Sequence, residues 1–147
     1  MLKAGVIGMG IGEKHALAYN NHSQVILRTV CDFDQVKLKG LKTKFPDLSM
    51  ETNDQSILQD KNINIVSIAS YDNYHANQII HAIENDKHVM AEKPLCLSMD
   101  EMLKIQAAHK QNNGLRLSAN HVLRTNSRFI RFKNDIQTGE FGEIFYL

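Results

Sequence analysis

The chain has 147 residues, 43% of them apolar and 22% charged, which are the proportions of one ordinary folded domain with room for a proper core. Seventeen basic against sixteen acidic side chains leave a net charge of +1, and that balance argues against a nucleic-acid or membrane-surface partner. Cys31 and Cys96 stand far apart with no Cys-x-x-Cys spacing, so neither a disulfide framework nor a thiolate metal site is expected, and a reducing cytoplasm fits best.

In chain order, Val6-Ile7 reads as the core of a first strand and Gly12–Asn20 as a helix. The apolar N-terminus is cut short by Glu13, Lys14 and His15 with no small-residue cleavage pattern, so a signal peptide is not expected. No segment reaches the roughly 18 apolar residues that span a bilayer. Residues 25–32 form a β-branched second strand, and 34–45 a helix stopped by Pro46. Lys37, Lys39, Lys42 and Lys44 are expected on the solvated face of that helix. A weak strand at 48–50 and a short helix at 55–59 follow.

Residues 63–69 make the clearest buried strand, and Ala76, Ile79, Ile80 and Ile83 then repeat at helical spacing. Residues 87–91 are the next strand. Ser98 and Glu101 form a capping box opening a helix to about Gln111, with Gly114 placed to end it. A sixth strand at 115–119 and a last helix over Ser127–Gln137 complete the pattern. Ile144-Phe145-Tyr146-Leu147 reads as the start of one more strand, which suggests a truncated chain. Strands alternating with helices predict an α/β fold, a doubly wound parallel sheet in a three-layer αβα sandwich.

Chemistry gathers at the strand ends. Gly8-Met9-Gly10-Ile11-Gly12 follows the first strand and opens the first helix, where glycines permit a tight turn and close backbone approach to a pyrophosphate. The spacing is irregular, because Glu13 stands where the third glycine of G-x-G-x-x-G belongs. Asp32 lies twenty residues past Gly12, at the end of the second strand. A carboxylate there accepts both ribose hydroxyls of adenosine and repels a 2′-phosphate, which favours NAD over NADP; a helix-capping aspartate is the plainer alternative.

Ser70 and Tyr71 end the fourth strand, with Asn73 and His75 at the start of the next helix. Asn73 suits an N-cap, and His75 suits either a ligand or a packing residue. Glu92-Lys93-Pro94 closes the apolar run His88-Val89-Met90-Ala91. A lysine at that strand end is placed to meet a nicotinamide ring and a substrate oxygen, and to stabilise negative charge as hydride moves. Glu92 is placed to tune it or to bind the carboxamide. Gly10, Asp32, Ser70, Lys93 and Asn120 fall at the ends of five different predicted strands, the shared edge a dinucleotide cleft requires.

With these motifs the chain resembles the glucose-fructose oxidoreductase and inositol dehydrogenase (Gfo/Idh/MocA) family over essentially its whole length. The resemblance rests on the glycine loop ending in His15-Ala16, on Cys31-Asp32-Phe33-Asp34, and on Ile68-Ala69-Ser70 with His75. Val89-Met90-Ala91-Glu92-Lys93-Pro94-Leu95 is its most specific mark, and Arg124 with Gly139-Glu140-Phe141-Gly142-Glu143-Ile144 extends it. It implies a Rossmann domain binding NAD(P) over residues 1–120, with Lys93 near the reacting atoms. Residues 121–147 would be the connecting helix and first strand of a C-terminal substrate domain that is otherwise missing.

Gly8, Met9, Gly10, Ile11, Gly12, Asp32, Ser70, Tyr71, His75, Glu92, Lys93 and Asn120 are the cofactor-binding candidates, and Lys93 is also the catalytic one. Two departures stand out: the loop is one residue short between Gly8 and His15, and Tyr71 stands where the family often has proline, which bears on the nicotinamide-side contact. The expected activity is hydride transfer between NAD(H) and a hydroxyl carbon of a sugar, polyol or nucleotide-sugar. A non-catalytic dinucleotide-binding regulatory module is the alternative, and a nucleoside-cofactor methyltransferase is disfavoured because Glu92-Lys93-Pro94 would have no role. A small-molecule substrate and a homo-oligomer are expected as partners, and the apolar surface a truncated chain would expose around Phe141, Ile144, Phe145 and Leu147 predicts non-native dimerisation or local disorder there.

Overall fold

The computed structural model describes residues 1–146. Six parallel strands form one sheet: β1 (Leu2–Ile7), β2 (Val25–Cys31), β3 (Ser49–Glu51), β4 (Ile65–Ile68), β5 (His88–Ala91) and β6 (Leu117–Ala119). Their spatial order is β3-β2-β1-β4-β5-β6. The chain therefore winds outward from β1 through β2 and β3, then returns to the other side of β1 to lay down β4. The order reverses between β1 and β4, and the crevice beyond the carboxyl ends at such a point is where ligands bind in open α/β sheets.

The crossovers carry α1 (Gly12–Asn20), α2 (Gln35–Leu41), α3 (Gln55–Leu58), α4 (Asp72–Glu84) and α5 (Met99–Gln111). Alternation along β1 sends Ala4 and Val6 to one face, where they meet Ala16, Leu38, Leu41 and Phe45. Ile7 faces the other way, into a larger core with Ile57, Ile79, Ile83 and Ile105. Two apolar layers on a sheet buried from both sides are what the near-continuous apolar strands demand. Ala76, Ile79 and Ile83 of the α4 stripe are buried, and Ile80 packs at its margin.

Local signals set the helix ends. Ser98 and Glu101 form the expected capping box at the start of α5. Asp34 caps α2 by accepting the Val36 and Lys37 N–H groups at 2.9 and 3.1 Å. That helix ends at Leu41 rather than running to Phe45. Pro46 disfavours helical backbone at Phe45, and the chain loosens into turns before it, although the Phe45 ring still fills the core. Asn73 sits inside the first turn of α4, and Tyr71 is the capping position.

At the opposite end of the sheet Lys87 is buried, its ammonium donating to the Asp60 and Ile63 carbonyls at 2.7 and 2.8 Å. Burial lowers its pKa, and Asp60 and Asp86 partly offset that effect. After β6 come a 3-10 turn at Val122–Arg124 and α6 (Ser127–Gln137), which has no buried residue and shows Phe129, Ile130 and Phe132 to solvent. The strand expected at the C-terminus does not form over 144–146: a strand needs a neighbouring ladder, and none pairs with this run among the described residues. Leu147, the last residue of that expected strand, lies outside the described residues.

Candidate functional site

β1 ends at Ile7, and the chain turns through Gly8 to Ile11 into α1. Gly8 has φ +85°, and a Cβ there would lie 2.3 Å from the Ala69 carbonyl oxygen, so only glycine makes this turn. A Cβ on Gly12 would stand 3.0 Å from Val6 Cγ1 and 3.2 Å from Ala69 Cβ, which shows how closely α1 lies on the sheet. Gly10 faces open space, with nothing within 4 Å of such an atom. The shortened loop thus still provides a turn glycine, a glycine facing the open cavity and a helix-packing glycine. No side chain caps the start of α1.

Asp32 follows β2 and is only 4% exposed. Its Oδ2 accepts the Met9 N–H at 2.7 Å and the Lys37 ammonium at 2.9 Å, and its Oδ1 accepts the Asp34 N–H at 2.9 Å. Burial alone would raise this carboxyl, but these three donors outweigh it and hold its pKa below the ordinary value. Lys37 is therefore not simply one of a solvated row. Standing in the first turns of α2, it reaches back over the end of β2, and the Asp32 hydrogen bond raises its pKa. Lys44 pairs with Glu13 of α1. The Met9 side chain is in the core, and only its N–H takes part in the site.

A cavity of about 520 Å³ opens beside Asp32, between the glycine loop, the 52–54 loop and the residues after β4. Gly8, Gly10, Ile11, Asp32, Ser70 and Tyr71 all line it. Tyr71 stacks on Phe33 with ring centroids 5.9 Å apart, and both rings are about two-thirds exposed, at 65% and 67%. Tyr71 therefore stands beside Phe33, next in sequence to Asp32, at the mouth of the cavity. Cys31 borders the same cavity, its thiol pushed up to about 12 by burial and then by the Asp54, Asp32 and Glu51 charges.

Glu92, Lys93, His75 and Asn120 do not line this cavity. Glu92 follows β5, and its Oε1 accepts from Asn120 Nδ2 at 2.6 Å and from His15 Nε2 at 3.1 Å. Burial would raise Glu92, but hydrogen bonds from Asn120, the Lys93 N–H and His15 together hold it below its ordinary value. The other His15 nitrogen meets Ser67 Oγ at 2.7 Å, so one imidazole links α1, β4 and β5, and Glu92 extends the link to the end of β6. His75 is fully buried, with Nδ1 2.6 Å from the Pro94 carbonyl and Nε2 3.1 Å from that of Ser70. It fastens α4 to the segment carrying Lys93. Lys93 is exposed, and its ammonium has no hydrogen-bond partner among the described residues.

Sequence reasoning did not single out Phe33, Lys37, Asp54, Tyr74 or Gln78 as site residues, although all five line the cavity. A signal existed for Gln78, a polar residue four positions before Ala82 on the buried stripe of α4.

A 3-2-1-4-5-6 sheet with a glycine turn at the first strand and a carboxylate at the second defines a dinucleotide-binding α/β domain. Residues 2–121 match the Gfo/Idh/MocA family, described as an oxidoreductase family with an NAD-binding Rossmann fold, and the chain belongs to that family. Inositol 2-dehydrogenase from Salmonella typhimurium is 28% identical over 145 residues, covering 97% of this chain and 43% of that protein. The crystal structure of myo-inositol 2-dehydrogenase from Lactobacillus plantarum matches with a TM-score of 0.87 at 26% identity, over 97% of this chain and 43% of that one. Scyllo-inositol dehydrogenase from Lactobacillus casei, solved with bound NAD(H) and scyllo-inositol, shares the fold with a TM-score of 0.86 at 23% identity, over 98% of this chain and 43% of that one. The chain thus spans less than half the length of these relatives.

Proposed function

We propose that this chain is the cofactor-binding part of an oxidoreductase moving hydride between NAD(H) and a hydroxyl-bearing carbon of a sugar, polyol or nucleotide-sugar, with inositol-type polyols the nearest models. The observation that carries the reading is Asp32: a carboxylate at the end of β2, bonded to the glycine loop and bordering the cavity. The residues fit the cofactor. Gly8, Gly10 and Ile11 with the uncapped start of α1 would hold the pyrophosphate, and Asp32 would accept the ribose hydroxyls. Bound nicotinamide supplies a carbon that takes or gives hydride.

The chain's own contribution to chemistry is Lys93. Its unpartnered ammonium at the end of β5 would hydrogen-bond the substrate oxygen and stabilise charge developing there. Glu92, fixed by Asn120 and His15, sets the backbone at Lys93 through the Lys93 N–H, 3.3 Å from its Oε2. His75 supports the same segment from below. Residues 1–120 form the cofactor domain in this reading, and 121–147 lead toward a substrate domain.

A small-molecule substrate is the main partner, in a cytoplasmic setting, with NADP bound less well than NAD. No helix among the described residues is long and apolar enough to cross a membrane. Homo-oligomer formation through the exposed apolar residues of α6 and Phe141 completes the reading, and light scattering across a concentration series tests it. The cofactor reading itself is tested by calorimetric titration with NADH and NADPH, alongside Asp32→Ala. Tighter binding of NADH, weakened in the variant, supports it, and heat from neither dinucleotide overturns it.

A further inference from the structure

One wall of the cavity is a directed chain of hydrogen bonds to which neither phosphate nor ribose binding assigns a role. Ser70 Oγ donates to Gln78 Oε1 at 2.6 Å, and Gln78 Nε2 donates to Asp54 Oδ2 at 2.7 Å. Gln78 is buried on α4 beside His75, Ile79 and Ala82, so its amide must be satisfied at both ends. A carboxylate only accepts, which turns the amide nitrogen toward Asp54 and the amide oxygen toward the Ser70 hydroxyl. The chain therefore ends, at Asp54, in a group that takes hydrogens and gives none.

Asp54 is not saturated. Its Oδ1 has one neighbour, Gln55 Nε2 at 3.2 Å, and each carboxylate oxygen has room for a second donor. It lines the same cavity as Phe33, Tyr71 and Tyr74, and it follows β3, which lies on the other side of β2 from β1 and its glycine turn. With a ribose at Asp32 and a pyrophosphate at the glycine loop, the next group along the ligand is the base. Aromatic faces and a fixed acceptor are what a flat heterocycle bearing an amino group needs.

We propose that Asp54, positioned by Ser70 and Gln78, reads the base of the dinucleotide by accepting a hydrogen bond from the exocyclic amino group of adenine. This inference rests on the NAD(H) reading above and adds a specificity-determining residue to it. A base carrying a carbonyl oxygen at that position sets two acceptors against each other and leaves Asp54 facing a desolvated oxygen. A site built to meet a donor discriminates strongly against the analogue that lacks it.

The test is calorimetric titration of this chain with NADH and with reduced nicotinamide hypoxanthine dinucleotide, in which that amino group is a carbonyl. The unaltered chain should bind the hypoxanthine form about tenfold or more weakly, the cost of one unpaired buried hydrogen-bonding group. Asp54→Asn, whose amide has a donor to offer the carbonyl, should bring the two affinities to within about threefold. Equal binding of both by the unaltered chain overturns the proposal while leaving the cofactor reading standing. A preference for adenine that persists undiminished in Asp54→Asn overturns it as well. Binding of neither dinucleotide removes the cofactor reading and this inference together.

Discussion

The Lys37 ammonium lies 2.9 Å from Asp32 Oδ2, the same oxygen that accepts the Met9 N–H. The carboxylate expected to repel a 2′-phosphate thus carries its own counter-charge. Lys37→Met should weaken NADPH binding about tenfold while changing NADH binding less than about threefold, since only the phosphorylated ribose gains from a cation there. Paired titrations at one ionic strength measure this, and equal losses for both dinucleotides would refute it.

Gly8 and Gly10 should separate folding from binding. Gly8→Ala forces a side chain into positive φ and against the Ala69 carbonyl, so a loss of several kcal/mol, or no folded protein, is expected. Gly10→Ala has open space around its new methyl group and should melt within about 2 °C of the parent. Its NADH affinity should nevertheless fall about tenfold or more, because the methyl group projects where backbone must approach phosphate. Thermal melts and titrations on both variants decide it.

Glu92→Ala removes the acceptor shared by Asn120 and His15. Leaving partly buried donors unpaired costs about 1–3 kcal/mol, which predicts a drop of roughly 3–10 °C in Tm for a domain of this size. Lys93→Met, altering an exposed side chain without a partner, should leave Tm unchanged. Differential scanning calorimetry compares the two, and a Lys93→Met melt as low as that of Glu92→Ala would contradict the placement of these residues.

Acid should unfold the chain partly through these same carboxylates. Asp32 and Glu92 both have pKa values lowered by folding, so their stabilisation is complete above the ordinary carboxyl range near pH 4. It is lost as pH falls through the lowered values. Asp32→Asn and Glu92→Gln should therefore be less stable than the parent at pH 7, with the difference shrinking below about pH 4. Chemical denaturation at a series of pH values measures the slope.

β1, β2 and β4 were legible because each is a short run carrying β-branched residues, β5 and β6 because they stand between helical patterns, and their parallel order follows from the helices between them. Asp32, Ser70, Glu92 and Asn120 were legible for the same reason: a polar residue directly after a buried strand must lie at the sheet edge. What stayed hidden depends on reach across the fold. Lys37 looked like one of four similar lysines, and only the fold of α2 over β2 brings it to Asp32. Asp54 sits in a loop of ordinary composition, and nothing local says that Gln78, 24 residues later, will seize it. The run at 144–146 misled in the other direction, since an apolar sequence records a wish for burial but names no partner.

The link from His15 to Glu92 spans 77 residues of chain, and the cavity draws its walls from four strand ends or the loops beyond them. Such a cleft exists only once β4 and α4 have docked beside β1, so a molecule that fits it recognises strands brought together across the sheet and nothing earlier. Dinucleotide at a hundred times its dissociation constant would then add about 2.7 kcal/mol to the folding free energy by mass action alone. That is a large share of the margin a domain of this size ordinarily has. The lifetime of this domain in a cell is thereby tied to the nucleotide pool around it, and a substitution that merely loosens the cleft would register as lost protein before it registered as lost chemistry.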